Sequence, residues 1–202
     1  MKSLLVFPAQ WYPTQPYLST PYLCAYLREK SWDVTQRDFN IESYDHFLSP
    51  TLLENILSKI EGRLTALKEK KSFSFKEKSL MDVLATSVKF APTIISGVND
   101  AKKVMRTPER FFDFSTYKQA DMVIKSALKL VSDSYSPSIL TLSTFESGTR
   151  AEESTQRATE FARNNDINPF IDLYEKVLLP SESWEDYNLV GISIVGISQI
   201  LP

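Results

Sequence analysis

Residues 3–39 read SLLVFPAQWYPTQPYLSTPYLCAYLREKSWDVTQRDF, and three elements follow one another within that stretch. SLLVF is uniformly apolar and stops at Pro8, which predicts a short strand buried on both faces, the kind a parallel sheet contains. Four of the eleven prolines then fall between Pro8 and Pro21, together with Trp11, Tyr12 and Tyr17. Fixed φ angles and extended residues before each proline predict a stiff loop there. Thr20 is expected to cap the helix that follows, with Pro21 at its first position and Arg28 and Lys30 near its negative end. Leu23 and Leu27 share one face of that helix, and Tyr22 and Tyr26 the neighbouring one. A second strand is predicted over 32–39. Strand, helix and strand make a right-handed crossover, the opening of an α/β sheet.

The middle of the chain changes rhythm. Leu53, Ile56, Leu57, Ile60, Leu64 and Leu67 recur at three- and four-residue spacing and predict an amphipathic helix. A second helical region spans 78–105 with a kink expected near Pro92, TPERFF starts a short turn or helix with Pro108 first, and 116–135 form a third long helix. SYSPSILTLSTFESGT reads as extended, RAEESTQRATEFARNN as one helical stretch, and NPFIDLYEKVLLPSESW as a short helix with its connection. The last fourteen residues, LVGISIVGISQILP, carry no charge and two of the five glycines. They read as a further sheet strand, its loop, and a proline suited to the first turn of a following helix.

Composition excludes several classes. Hydrophobic residues make up 43% and charged residues 24% of the 202, as in ordinary globular proteins, and the net charge is −2. That balance offers nothing for nucleic acid or an anionic membrane to attract. The basic cluster KEKKSFSFKEK is interleaved with Glu and reads as a solvated helix end and connection. The run from 80 to 98 contains Asp82, Lys89 and Pro92, so no clean span of roughly 20 apolar residues is present. One cysteine and no signal-like N-terminus lead us to expect a cytoplasmic protein.

The search for reactive sets is mostly negative. His46 and Cys24 are single residues on different predicted elements, which excludes a zinc site of Cys and His ligands. The glycines are scattered, so no phosphate loop is present. Cys24 is expected to be a small buried thiol and His46, beside Asp45, a charge-stabilised surface imidazole. Ligands of open α/β sheets bind outside the carboxyl ends of the strands. That directs attention to PAQWYPTQPYLS after the first strand and GISQIL after the last, where a flat cofactor would suit the aromatics and the small residues. The competing reading has Trp11 and Tyr17 simply packing the first helix on the sheet.

Certain residues carry a resemblance. Pro8, then Pro21 with Leu23, Ala25, Leu27 and Arg28, then Asp38 and Asn40, resemble the start of cobalamin-binding radical S-adenosylmethionine proteins. NPFIDLYEKVLLP followed by DYNLVGISIVGISQILP is similar to the segment leading into the third sheet strand of that family, especially in members that mature peptide natural products. SYSPSILTLSTFESGT matches more loosely. The resemblance implies a Rossmann-like domain with the corrinoid on the carboxyl edge of the sheet. By position, Pro8, Ala9, Gln10 and Trp11 after the first strand and Ser193, Val195, Gly196, Ser198 and Gln199 after the third would surround the ring.

The chain also departs from the family pattern. D-x-H-x-x-G, which supplies a histidine ligand in other cobalamin proteins, is absent, and Ser31 stands where a Gly is usual. One cysteine cannot supply the C-x-x-x-C-x-x-C that holds an iron-sulfur cluster. A later strand ending in paired glycines is also missing.

The resulting expectation is an α/β fold: a partial Rossmann-like parallel sheet of three or four strands with a large, mainly helical insertion. Residues 1–44 would form the first strand-helix-strand, 45–136 the insertion, and 137–202 the extended segment, helices and third strand, cut before the rest of the domain. Cobalamin would bind an incomplete site without catalysis by this chain alone. The iron-sulfur cluster and S-adenosylmethionine would belong to a longer protein, and the expected partner is that radical region or a second copy of the chain. The rival expectation is an α/β and helical module that binds a partner or dimerises without a cofactor, its apolar strand covered in the process.

Overall fold

The computed structural model of the chain describes residues 2–15, 17–196, 199 and 200. In chain order the elements are strand β1 (Lys2–Phe7), helix α1 (Ser19–Glu29), β2 (Asp33–Asp38), α2 (Phe39–Phe47), α3 (Pro50–Lys68), α4 (Phe75–Arg106), α5 (Pro108–Phe111), α6 (Phe114–Ser134), the two-residue strands β3 (Ile139–Leu140) and β4 (Phe145–Glu146), α7 (Thr155–Phe161), α8 (Phe170–Leu173) and β5 (Leu189–Ile192). They divide into two compact units, one made of Met1–Asp45 with Leu142–Pro202 and the other of His46–Thr141.

The first unit is α/β. Its sheet has the order β2-β1-β5, and both pairings are parallel. β1 is central, which is why its run of Leu4, Leu5, Val6 and Phe7 is buried on both faces. On one face Leu5 and Val34 meet Cys24 and Leu27 of α1. Aromatic contacts recur elsewhere in this unit: Phe39 meets Tyr174 and Trp184 edge-on, and Phe145 packs against Phe161 and Phe170. Arg37 on β2 holds Glu42 through two hydrogen bonds and Glu182 through a third at 2.6 Å, so the strand is pinned to a segment far along the chain.

Three details differ from the sequence expectations. α1 begins at Ser19 with no side-chain cap. Thr20 is buried inside the helix, and its hydroxyl accepts from Gln36 Nε2 of β2 at 3.1 Å, so a contact to the sheet takes the oxygen expected to cap. Leu23 points outward while Cys24 and Leu27 pack inward, because the buried stripe lies one residue further round. RAEESTQRATEFARNN is not one helix: Ser154 is extended at φ −158°, separating a single 3-10 turn (Ala151–Glu153) from α7, and its hydroxyl accepts from the Arg157 amide as a new N-cap.

The second unit is helical. Ser49 caps α3 with Pro50 at its first position, Ser74 and Glu77 form a capping box at the start of α4, and Asp113 caps α6. Leu53, Ile56, Ile60 and Leu64 of α3, Leu84, Ala91, Val98 and Val104 of α4, and Ile124, Leu128 and Val131 of α6 are buried where the three long helices pack together. α4 runs unbroken through Pro92, which lies on its exposed side. Packing of the opposite face thus outweighs the one backbone bond that proline removes.

The buried carboxylate of this unit is paired: Ser87 Oγ donates to Asp133 Oδ2 at 2.6 Å, and Lys129 Nζ lies 2.7 Å from both oxygens of that carboxylate. His46 differs from its expected role. It is half-buried, and desolvation holds its pKa below the ordinary imidazole value, so its neutral form is the favoured one.

Arg63 Nη1 donates to Ser134 O at 2.7 Å, where the last carbonyls of α6 lack helical partners. Arg63→Ala is expected to lower the unfolding free energy of the helical unit by about 1–3 kcal/mol, read from helical circular dichroism in urea. In the sheet, a Cβ on Gly191 would lie 2.8 Å from Leu5 Cδ2. Gly191→Val is expected to cost about 1–3 kcal/mol, with Gly191→Ala milder because Leu5 can turn. Trp11, Trp32 and Trp184 all belong to the first unit, so tryptophan fluorescence in urea reports it separately.

Candidate functional site

Because β1 and β5 are parallel neighbours, the loops that follow them leave the sheet side by side. The main chain continues the pairing one step beyond β5, where the Ser193 amide donates to Val6 O at 2.9 Å. The first loop then turns through Gln10, at φ 76° and only 2% exposed. A non-glycine residue in this left-handed region costs on the order of 1–3 kcal/mol and persists only where its surroundings dictate it.

Those surroundings are specific. Gln199 Nε2 donates to Pro8 O at 3.0 Å, the Ala9 amide donates to Tyr174 Oη at 3.1 Å, and the Trp11 amide donates to Asn40 Oδ1 at 2.8 Å. Asn40 is presented by the first turn of α2, where Asp38 Oδ1 accepts from the Ile41 amide. The second loop is bound to the same clasp, since Gln199 Oε1 accepts from the Val195 amide at 2.8 Å and lies 3.4 Å from the Gly196 nitrogen. Ser19 Oγ and Ser193 Oγ share a hydrogen bond of 2.8 Å, joining the start of α1 to the end of β5. Tyr44 Oη donates to Leu142 O at 3.2 Å, and burial raises the pKa of both Tyr44 and Tyr174, so both phenols stay protonated.

The expected site residues divide accordingly. Pro8, Ala9, Gln10 and Gln199 are buried, and their polar groups shape the loops from within. Trp11, Ser193 and Gly196 are half-buried and Val195 is at the margin of exposure. Ser198 lies outside the described residues. Tyr17 stacks on Phe7 at 5.5 Å between ring centroids and meets Trp11 edge-on at 5.7 Å, while Trp11 also meets Tyr12. These rings therefore do pack the loop onto the sheet, yet Tyr12 and Tyr17 remain 40% and 37% exposed. Leu18 of the first loop and Ile194 and Ile200 after β5 are exposed as well.

The chemistry this edge offers is narrow. No charged residue occurs from Ser3 to Leu27 or after Asp186, so neither loop offers a side-chain cation to pair with a phosphate. Burial raises the pKa of the Asp38 carboxyl, at the end of β2. Cys24 is buried, and desolvation raises its thiol pKa, which makes it a poor nucleophile. Among the described residues no three His, Cys, Asp or Glu side chains gather as a metal-binding group, and no helix is long and apolar enough to cross a membrane.

A cleft of about 590 Å³ elsewhere in this unit is lined by Arg150, Arg157, Glu160, Phe161 and Asn164 among others. Both arginines share Glu153, and Glu160 accepts from Gln156. Two cations against two carboxylates leave it no net attraction for an anion.

Sequence reasoning assigned no site role to Tyr174 or Ser19, which nothing in local periodicity marks. Asn40 was visible only as part of the D-x-N pattern. Comparison of the chain with protein-family models, curated proteins and solved structures finds no match.

Proposed function

We propose that the α/β unit is a Rossmann-like corrinoid-binding region, the cofactor-holding part of a cobalamin-dependent radical S-adenosylmethionine enzyme. The observation that supports this most directly is the carboxyl edge of β1 and β5: two adjacent, uncharged loops, clasped by Gln199, with Trp11, Tyr12, Tyr17 and Val195 at their surface. The corrin ring is a broad, largely apolar disc rimmed with neutral amides, and an uncharged edge with exposed aromatics suits its face. When bound, the corrinoid supplies the methyl-transfer or related radical chemistry. The chain's own residues bind and orient it: Trp11 and Val195 pack against the disc, and Ser193 hydrogen-bonds at its rim. One cysteine leaves the cluster and S-adenosylmethionine to further protein.

Hydroxocobalamin is expected to co-elute with the protein in gel filtration and to titrate to one equivalent by visible absorption. Trp11→Ala should weaken that binding about tenfold, on the scale of one lost aromatic packing contact. Absence of any retained corrinoid at high micromolar protein would defeat this reading.

β5 favours a second reading, a module that binds a partner or a second copy without cofactor. Leu189 on one face and Val190 and Ile192 on the other are all exposed, Ile192 at 62%, and the strand lies at the edge of the sheet. This reading expects a dimer in analytical ultracentrifugation that Ile192→Lys converts to monomer. A monomer at all concentrations, before and after the substitution, would count against the second-copy form.

A further inference from the structure

Three side chains widely separated in sequence converge on the backbone of one four-residue turn. Pro8 O, the Ala9 amide and the Trp11 amide are each engaged by a different one of them, Gln199, Tyr174 and Asn40. Gln10, between the second and third contacts, takes the left-handed conformation that an unconstrained glutamine avoids. Tyr174 itself opens a turn of wide, π-type helix (Tyr174–Leu178), an insertion that often accompanies functional positions because it re-aims one side chain. Gln199 reaches both loops: its nitrogen holds the first, and its oxygen holds the amides of Val195 and Gly196 in the second.

We infer that Asn40, Tyr174 and Gln199 are positioning residues, which set the separation and orientation of Trp11 and Val195 before a ligand arrives. This rests on the corrinoid reading for the identity of the ligand, and it changes the role of Gln199. That residue is 5% exposed with both ends of its amide engaged, so it acts through the loops and does not touch the disc.

Tyr174→Phe removes one hydroxyl and no packing volume, and Asn40→Asp keeps the acceptor oxygen that Asn40→Ala deletes. Amide hydrogen exchange of the full chain should show the Ala9 amide exchanging about tenfold faster in Tyr174→Phe, and the Trp11 amide likewise in Asn40→Ala, with Asn40→Asp restoring protection. The dissociation constant for hydroxocobalamin should rise at least about threefold in the same two variants, under conditions where circular dichroism shows both fully folded. Gln199→Glu, which loses the donor to Pro8 O, should behave as they do.

Unchanged exchange at Ala9 and Trp11 would overturn the inference, as would faster exchange with unchanged affinity, since the contacts would then stabilise without positioning. Failure of the unaltered protein to retain hydroxocobalamin would defeat the corrinoid reading instead. The exchange measurements would still decide whether these side chains hold the loop.

Discussion

Parallel pairing of β1 on both of its edges is the constraint from which the first unit follows. A strand as apolar as LLVF is stable only if both faces are covered and both rows of backbone groups are bonded. β2 and β5 supply the bonds, and α1 covers one face through Cys24 and Leu27. The partners come from positions 33 and 189, at opposite ends of the chain. The sheet therefore closes only after the whole helical segment between them has been made. Parallel geometry also decides where chemistry can occur, because every loop at the carboxyl edge leaves from the same side.

Much of this was legible from residue pattern. β1 followed from an unbroken apolar run ending at Pro8, and α3 from apolar spacing that matches a helical turn, while 78–105 and 116–135, expected to be helical, lie within α4 and largely within α6. Their starts at Pro50, Phe75 and Phe114 precede the expected positions 51, 78 and 116, because Ser49, Ser74 and Asp113 cap them there. The errors came where a distant partner competed for a group. Thr20 was read as a cap because caps are local, but Gln36 of β2 takes its oxygen. Leu23 was grouped with Leu27 by spacing, yet Cys24 is the residue that meets the sheet. Ser154 carried a readable signal that was passed over, a serine ahead of a helical run, and it is the N-cap at which the stretch divides.

The clasp around the first loop was beyond reach for a different reason. Its hydrogen bonds join residues 29, 165 and 191 positions apart. No periodicity links such pairs, and an isolated Asn, Tyr or Gln has no signature of its own. What the sequence does display is the consequence: two loops with aromatics, prolines and small residues but no charge. The exposed residues of the two loops are thus easier to pick out from sequence than the buried ones that hold them in place, and Gln199 is buried with both ends of its amide engaged.

The distribution of polarity at the carboxyl edge follows from how the loops are held. Buried amides and carbonyls must find partners, and here Gln199, Tyr174 and Asn40 satisfy them from below. The polar capacity of the loops is thereby directed inward, and the surface they present is largely carbon and aromatic: Tyr12, Tyr17, Leu18, Ile194, Val195 and Ile200. Such a surface discriminates by shape and by exclusion of water, since it has no cation to recognise a phosphate and no free carboxylate to recognise an amine. A charged group resting on these side chains would gain no ion pair there, whereas an apolar ring face would lose little hydration. The same internal bonding that stabilises a left-handed glutamine therefore also leaves the edge uncharged and largely apolar.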